Sequence, residues 1–209
     1  MSTKKWIIFD AMGVIFEEGH DLHELLLPYV QQMNPSISVD TVKDSYIKAS
    51  LGEISSKEFW ISVGLGDKYP EIEKSYLDNC LKMDPEFIPV ARELKKEYTL
   101  ALLSNDVKEW SQYLRKRHRI DDLFSVILIS GDVGIRKPDM RIFKLFLEKI
   151  NVAPENCVFV DDNLYNLEPA SKLRMKTMRF IRNEKKTPFC SEFEITSFNE
   201  LQSVLRNFQ

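Results

Sequence analysis

Apolar residues follow two patterns along the 209-residue chain. Short unbroken runs occur at residues 5–9, 99–103, 125–129, 157–160 and 176–181. Apolar runs of this length that do not alternate with polar residues are what strands covered on both faces of a parallel sheet show. Between most of them, apolar residues recur three and four positions apart, as on a helix with one buried face. Phe87, Ile88, Ala91 and Leu94 form such a face behind Asp84-Pro85, read as cap and first turn. Asp106 and Glu109 have capping-box spacing ahead of Trp110, Tyr113 and Leu114. Pro138 opens a helix with Ile142, Phe143, Phe146, Leu147 and Ile150 as its stripe, and Ser197 with Glu200 caps a last one carrying Leu201, Val204 and Leu205. Strand and helix in alternation imply right-handed βαβ units, hence an α/β fold with an open parallel sheet flanked by helices.

Residues 17–83 break the alternation, with helical signals and no strand. Leu22, Leu25, Leu26 and Tyr29 start one helix. Asp40 caps another through Val42, Tyr46 and Ile47, ended by Gly52. Ser55 and Glu58 form a capping box before Phe59, Trp60 and Val63, and Ile72, Tyr76, Leu77, Cys80 and Leu81 share a face. A crossover of this length is more than a parallel connection needs. The chain therefore divides into a core of residues 1–16 and 84–209 and an all-helical insertion at 17–83.

Composition narrows the classes. Apolar residues at 44% and charged residues at 29% predict a packed globule, and a net charge of −3 argues against nucleic acid or an anionic membrane as partner. The basic run from Arg115 to Arg119 falls at a helix end, where cations favour the dipole. Three cysteines, Cys80, Cys157 and Cys190, form no close pair, so neither a disulfide framework nor a zinc site is expected. No apolar run reaches 18 residues, and the first strand begins at once; the expectation is a cytoplasmic protein without a signal peptide.

Candidate chemistry gathers at the strand ends, the edge at which open α/β sheets bind ligands. Trp6-Ile7-Ile8-Phe9 ends in Asp10, followed by Ala11-Met12-Gly13. Leu100-Ala101-Leu102-Leu103 ends in Ser104-Asn105-Asp106. Val158-Phe159-Val160 ends in Asp161-Asp162-Asn163. Lys137 stands before Pro138 in Gly134-Ile135-Arg136-Lys137-Pro138. Each alone has an ordinary reading as turn, cap or solvated residue. The order acid, hydroxyl, lysine, acid pair resembles the four motifs of the haloacid dehalogenase (HAD) superfamily of hydrolases, over nearly the whole chain.

That resemblance implies a Rossmann-like core with residues 17–83 as a helical cap, and a Mg²⁺-dependent phosphatase of a small phosphorylated metabolite. Asp10 is then the nucleophile that forms an aspartyl-phosphate. Lys137 holds Asp10 and the phosphoryl group together, while Ser104 and the backbone N–H groups from Asn105 onward bind phosphoryl oxygens. Asp10, Asp161, Asp162 and the Met12 carbonyl are the metal ligands, and Asn166 either orients the carboxylates or begins a helix.

Met12 is the departure. The family usually has a second aspartate there, which protonates the leaving oxygen and then activates water; a thioether does neither. Such a group contributes roughly 10²–10⁴-fold. Glu17, Glu18 and His20 are candidate replacements. Other readings stay open. One is a metal-free, carbon-centred hydrolase of the 2-haloacid dehalogenase kind, which the pair Asp161-Asp162 opposes. A phosphonate-cleaving variant would need a cap lysine, and nothing selects among Lys43, Lys48 and Lys57. The last is a degenerate domain that binds a phosphorylated ligand or a protein partner.

Overall fold

The computed structural model describes residues 4–182 and 189–206. Six parallel strands, β1 (Trp6–Phe9), β2 (Thr99–Ser104), β3 (Val126–Ile129), β4 (Cys157–Asp161), β5 (Lys176–Phe180) and β6 (Phe193–Ile195), form one sheet in the order β3-β2-β1-β4-β5-β6. The first five match the apolar runs to within a residue or two. β6 has three residues, of which only Ile195 is buried, too short a run to stand out in sequence.

Period-two geometry sorts the strand residues onto two faces. Ile7, Phe9, Leu100, Leu102, Val158 and Val160 face one way, packed with Phe87 and Leu94 of α5 (Phe87–Glu97) and Leu201 of α10 (Phe198–Leu205). Ile8, Ala101, Leu103 and Phe159 face the other, against Phe143 and Phe146 of α8 (Met140–Ile150), which follows the single turn α7 (Ser130–Val133), and against Leu167 of α9 (Leu164–Lys172). Both faces are covered, which is why the strands read as unbroken apolar runs.

Between β1 and α5 the chain forms a π-helical turn (Leu22–Leu26) continuing into α1 (Leu27–Met33), then α2 (Val39–Ser50), α3 (Ser56–Ser62) and α4 (Glu71–Asn79). It leaves and returns side by side: Glu17 N–H donates to the Lys82 carbonyl, Asp84 N–H donates to the Ile15 carbonyl, and Phe16 bridges Met83. The helices surround an aromatic cluster of Tyr46, Phe59, Trp60 and Tyr76 that also takes in Trp110 of α6 (Lys108–His118). Glu73 Oε2 accepts from both indoles, Trp60 Nε1 at 2.9 Å and Trp110 Nε1 at 2.7 Å.

Several expected caps differ. Ser55 and Glu58 do form a capping box. Ser38 rather than Asp40 caps α2, accepting from Thr41 N–H, and Asp139 rather than Pro138 precedes the first turn of α8. Asp84 accepts from Glu86 N–H ahead of a helix that starts at Phe87. Ser197 makes no side-chain cap; Glu200 instead binds the N–H and hydroxyl of Thr196. Asp106 is buried and bonds the next residue's N–H, so α6 begins after Val107 without a box. A side chain that can bond its own neighbouring backbone competes with the cap, and spacing alone does not decide which bond forms.

Candidate active site

β1 lies between β2 and β4, the place where the sheet's connections change direction and a crevice opens at the carboxyl ends. Asp10 stands there, its N–H donating to the Val160 carbonyl at 2.9 Å. Lys137 arrives from the segment before α8, and its ammonium lies 2.8 Å from Asp10 Oδ1 and 2.7 Å from Asp161 Oδ2. It also stands over the Phe159 ring, 5.0 Å from the centroid. All three polar groups are buried.

The neighbours fix this arrangement. Asp161 accepts from Asn163 N–H at 2.8 Å and from Asn166 Nδ2 at 3.1 Å on both oxygens, so Asn166 orients the carboxylate from the first turn of α9. Asn105 holds the backbone of Lys137 through both ends of its side-chain amide, a supporting role separate from the one expected of its backbone N–H. Asp162 rests against two glycines. A Cβ on Gly13 would fall 2.4 Å from its Cγ, and one on Gly19 would fall 2.1 Å from Oδ2. Gly13, at φ +77°, also has the backbone that side chains avoid. Arg182 braces the same loop, donating to the Gly13 and Val14 carbonyls and to Asp84 at 2.6 Å.

Carboxylate oxygens of Asp10, Asp161 and Asp162 lie within 4.8 Å of one another. Three anions face one ammonium, so the cluster carries excess negative charge. Burial, with Asp161 adding repulsion against the opposing pull of Lys137, pushes Asp10 up to about 7. Burial and the charges of Asp161 and Asp10 push Asp162 up to about 8. Burial alone would lower Lys137, but the charges of Asp10 and Asp161 outweigh it and its pKa rises. A hard divalent cation would offset the surplus, and an all-oxygen donor set suits Mg²⁺.

A cavity of about 170 Å³ opens beside the cluster, lined by Asp10, Met12, Asn105, Lys137 and Asp162 on the core side and by His20, Asp21, His23 and Tyr46 on the helical side. Ser104 and Asp161 are fully buried and do not line it, and the Ser104 hydroxyl has no hydrogen-bond partner among the described residues. Met12 lines the cavity and is 7% exposed. Of the proposed replacements for an acid there, Glu17 is exposed and Glu18 bonds His20 N–H, and neither reaches the cavity; His20 does. Asp21, Tyr46 and Arg136 were missed, since none lies at a strand end; the one signal was Arg136 standing next to Lys137.

The family pattern of haloacid dehalogenase-like hydrolases matches residues 4–173. The chain belongs to this family. A glyceraldehyde 3-phosphate phosphatase from Pyrococcus furiosus is 38% identical over 101 residues, 44% of this chain and 41% of that protein. An (S)-2-haloacid dehalogenase from Burkholderia cepacia is 30% identical over 127 residues, 58% and 54% of the two chains. The matches therefore span about half the length of these relatives. An HAD family enzyme from Bacteroides thetaiotaomicron, solved with magnesium and inorganic phosphate, superimposes with a TM-score of 0.69 at 20% identity, covering 88% of this chain and 98% of that one. Among the described residues no helix is long and apolar enough to cross a membrane.

Proposed function

We propose that this hydrolase is a Mg²⁺-dependent phosphatase of a small phosphomonoester and works through an aspartyl-phosphate on Asp10. The observation that carries the reading is the crowding of three carboxylates around the single ammonium of Lys137. A carbon-centred hydrolase working without metal would hold three carboxyl groups there with only Lys137 to offset their repulsion. In the phosphatase, Asp10 Oδ attacks phosphorus in line, and Lys137 keeps nucleophile and phosphoryl group together against their mutual repulsion. Ser104 and the N–H groups that follow it bind phosphoryl oxygens; the unpartnered Ser104 hydroxyl supports this. Asp10, Asp161, Asp162 and the Met12 carbonyl would hold Mg²⁺, which when bound neutralises charge on the transferring group. Residues 17–83 would act as the cap over a core of 1–16 and 84–209, excluding water during transfer. The paired crossing at residues 15–17 and 82–84 supports that boundary.

The test is hydrolysis of an aryl phosphate with Mg²⁺ and with EDTA, for wild type and Asp10→Asn. Activity is expected only in wild type with Mg²⁺. Undiminished activity in EDTA, or halide release from a 2-haloacid, would overturn the reading.

A further inference from the structure

Met12 leaves the proposed reaction without a proton donor beside the nucleophile, yet another acidic residue, Asp21, lines the same cavity from the helical segment. Asp21 stands at the start of the π-helical turn, two residues after Gly19, whose backbone is pressed against Asp162. Its position is fixed. Tyr46 Oη donates to Asp21 Oδ2 at 3.1 Å, and the Tyr46 ring is itself held between the Trp110 ring, stacked at 6.1 Å, and the Arg136 guanidinium at 5.5 Å. Arg136 in turn hydrogen-bonds Ser50. Burial pushes the Asp21 carboxyl up to about 6, against the lowering pull of Tyr46, the Leu22 N–H and Arg136, so it exchanges protons near neutral pH, where acid–base catalysis is most effective.

We propose that Asp21 is the general acid and base of this phosphatase, supplied from the helical segment in place of the acid missing at Met12. The assignment rests on the phosphatase reading. In the first step the bond from Asp10 Oδ to phosphorus forms and the phosphorus–alkoxy bond breaks. Its electron pair stays on the leaving oxygen, which takes the Asp21 proton and departs as an alcohol. In the second step water adds to phosphorus and gives its proton to the Asp21 carboxylate. The phosphorus–Asp10 bond breaks with its pair returning to Asp10, and inorganic phosphate leaves. Both residues end as they began.

Asp21→Asn, Asp21→Glu and His20→Asn, each with bound Mg²⁺, are compared with wild type on an alkyl and a p-nitrophenyl phosphate. A nitrophenolate leaves without a proton. Asp21→Asn should therefore lose about 100-fold or more in kcat/KM on the alkyl ester and less than about threefold on the aryl ester. It should also release a stoichiometric burst of nitrophenolate and accumulate phosphorylated Asp10, while Asp21→Glu recovers part of the alkyl activity. Equal losses on both esters, absence of the accumulated intermediate, or the same signature in His20→Asn instead would overturn the assignment alone. A wild type inert toward both esters would overturn the phosphatase reading and this assignment with it.

Discussion

Asn105 grips the backbone of Lys137 at both ends of its amide: Nδ2 donates to the Lys137 carbonyl at 2.9 Å, and the Lys137 N–H donates to Oδ1 at 2.8 Å. The residue after β2 thus sets where the lysine begins its reach toward Asp10. Asn105→Ala frees that backbone and shifts the ammonium. Misplacement of a catalytic group by about 1 Å can cost about 100-fold in rate. The expected outcome is a loss of roughly 10–100-fold in kcat with little change in KM, measured by steady-state kinetics on an aryl phosphate. An equal loss in Asn105→Asp, which keeps only the acceptor, would show that the amide donor matters.

How much of this could be read from sequence depends on the kind of signal. The positions of Asp10, Ser104 and Asp161 were legible because buried strands deliver side chains to one sheet edge, and unbroken apolar runs mark those strands; Lys137 lies between two helices and was found by its place before Pro138. Asn166 was half legible: its spacing from Asp161 suited a ligand-orienting role or a helix start, and it serves as both. Asp106 and Ser197 carried cap spacing, but each side chain had a competing local or buried environment. Asp21 and Tyr46 were illegible as a pair, because 25 residues separate them and only tertiary packing joins them.

The raised values of Asp10 and Asp162 set a pH dependence. Without a divalent cation, the folded chain holds these protons up to about 7 and 8, whereas the ordinary carboxyl value is 3.8. The folded state therefore binds more protons than the unfolded state between about pH 4 and 8. Stability should fall as pH rises through that window, by up to about 1.4 kcal/mol per pH unit for each titrating group. In EDTA the Tm should be several degrees higher at pH 5.5 than at pH 8. Mg²⁺ competes with the protons, so the Tm increase it produces should be larger at pH 8. Differential scanning calorimetry in both buffers checks this; a Tm at pH 8 indifferent to Mg²⁺ would count against the proposed metal site.

Gly19 offers a way to disturb the proposed metal ligands without touching one. Its missing Cβ leaves space that Asp162 fills, and a methyl group there would fall 2.1 Å from Oδ2. Gly19→Ala should push the carboxylate away from Asp10 and Asp161 while the sheet, some distance along the loop, stays folded. The expected result is a weaker apparent Mg²⁺ affinity, by roughly tenfold as for lost supporting contacts at metal sites, at nearly unchanged circular dichroism. Activity titrated against Mg²⁺ would reveal it as a rightward shift that excess metal restores. Unchanged Mg²⁺ dependence would mean that Asp162 contributes little to the site.

Met12→Asp puts a carboxyl where the family usually keeps one, into a cluster already overloaded with negative charge. Met12 is buried and lines the same cavity as Asp10 and Asp162. Like-charge repulsion should raise the new group's pKa and lower stability in EDTA, and Mg²⁺ should recover much of that loss. With Mg²⁺ bound, Met12→Asp should raise turnover of an alkyl phosphate about tenfold in the Asp21→Asn background and far less in wild type, where Asp21 already supplies the proton; the gain is a part of the usual general-acid contribution because the surroundings are not shaped for this group. The double variant separates two sources of the proton. If Asp21 supplies it in wild type, Met12→Asp should rescue the alkyl activity that Asp21→Asn loses, and the accumulated phosphorylated Asp10 should disappear. If Met12→Asp improves the alkyl ester by the same factor with or without Asp21, the two carboxyl groups act independently, and the donor in wild type lies elsewhere on the cavity wall.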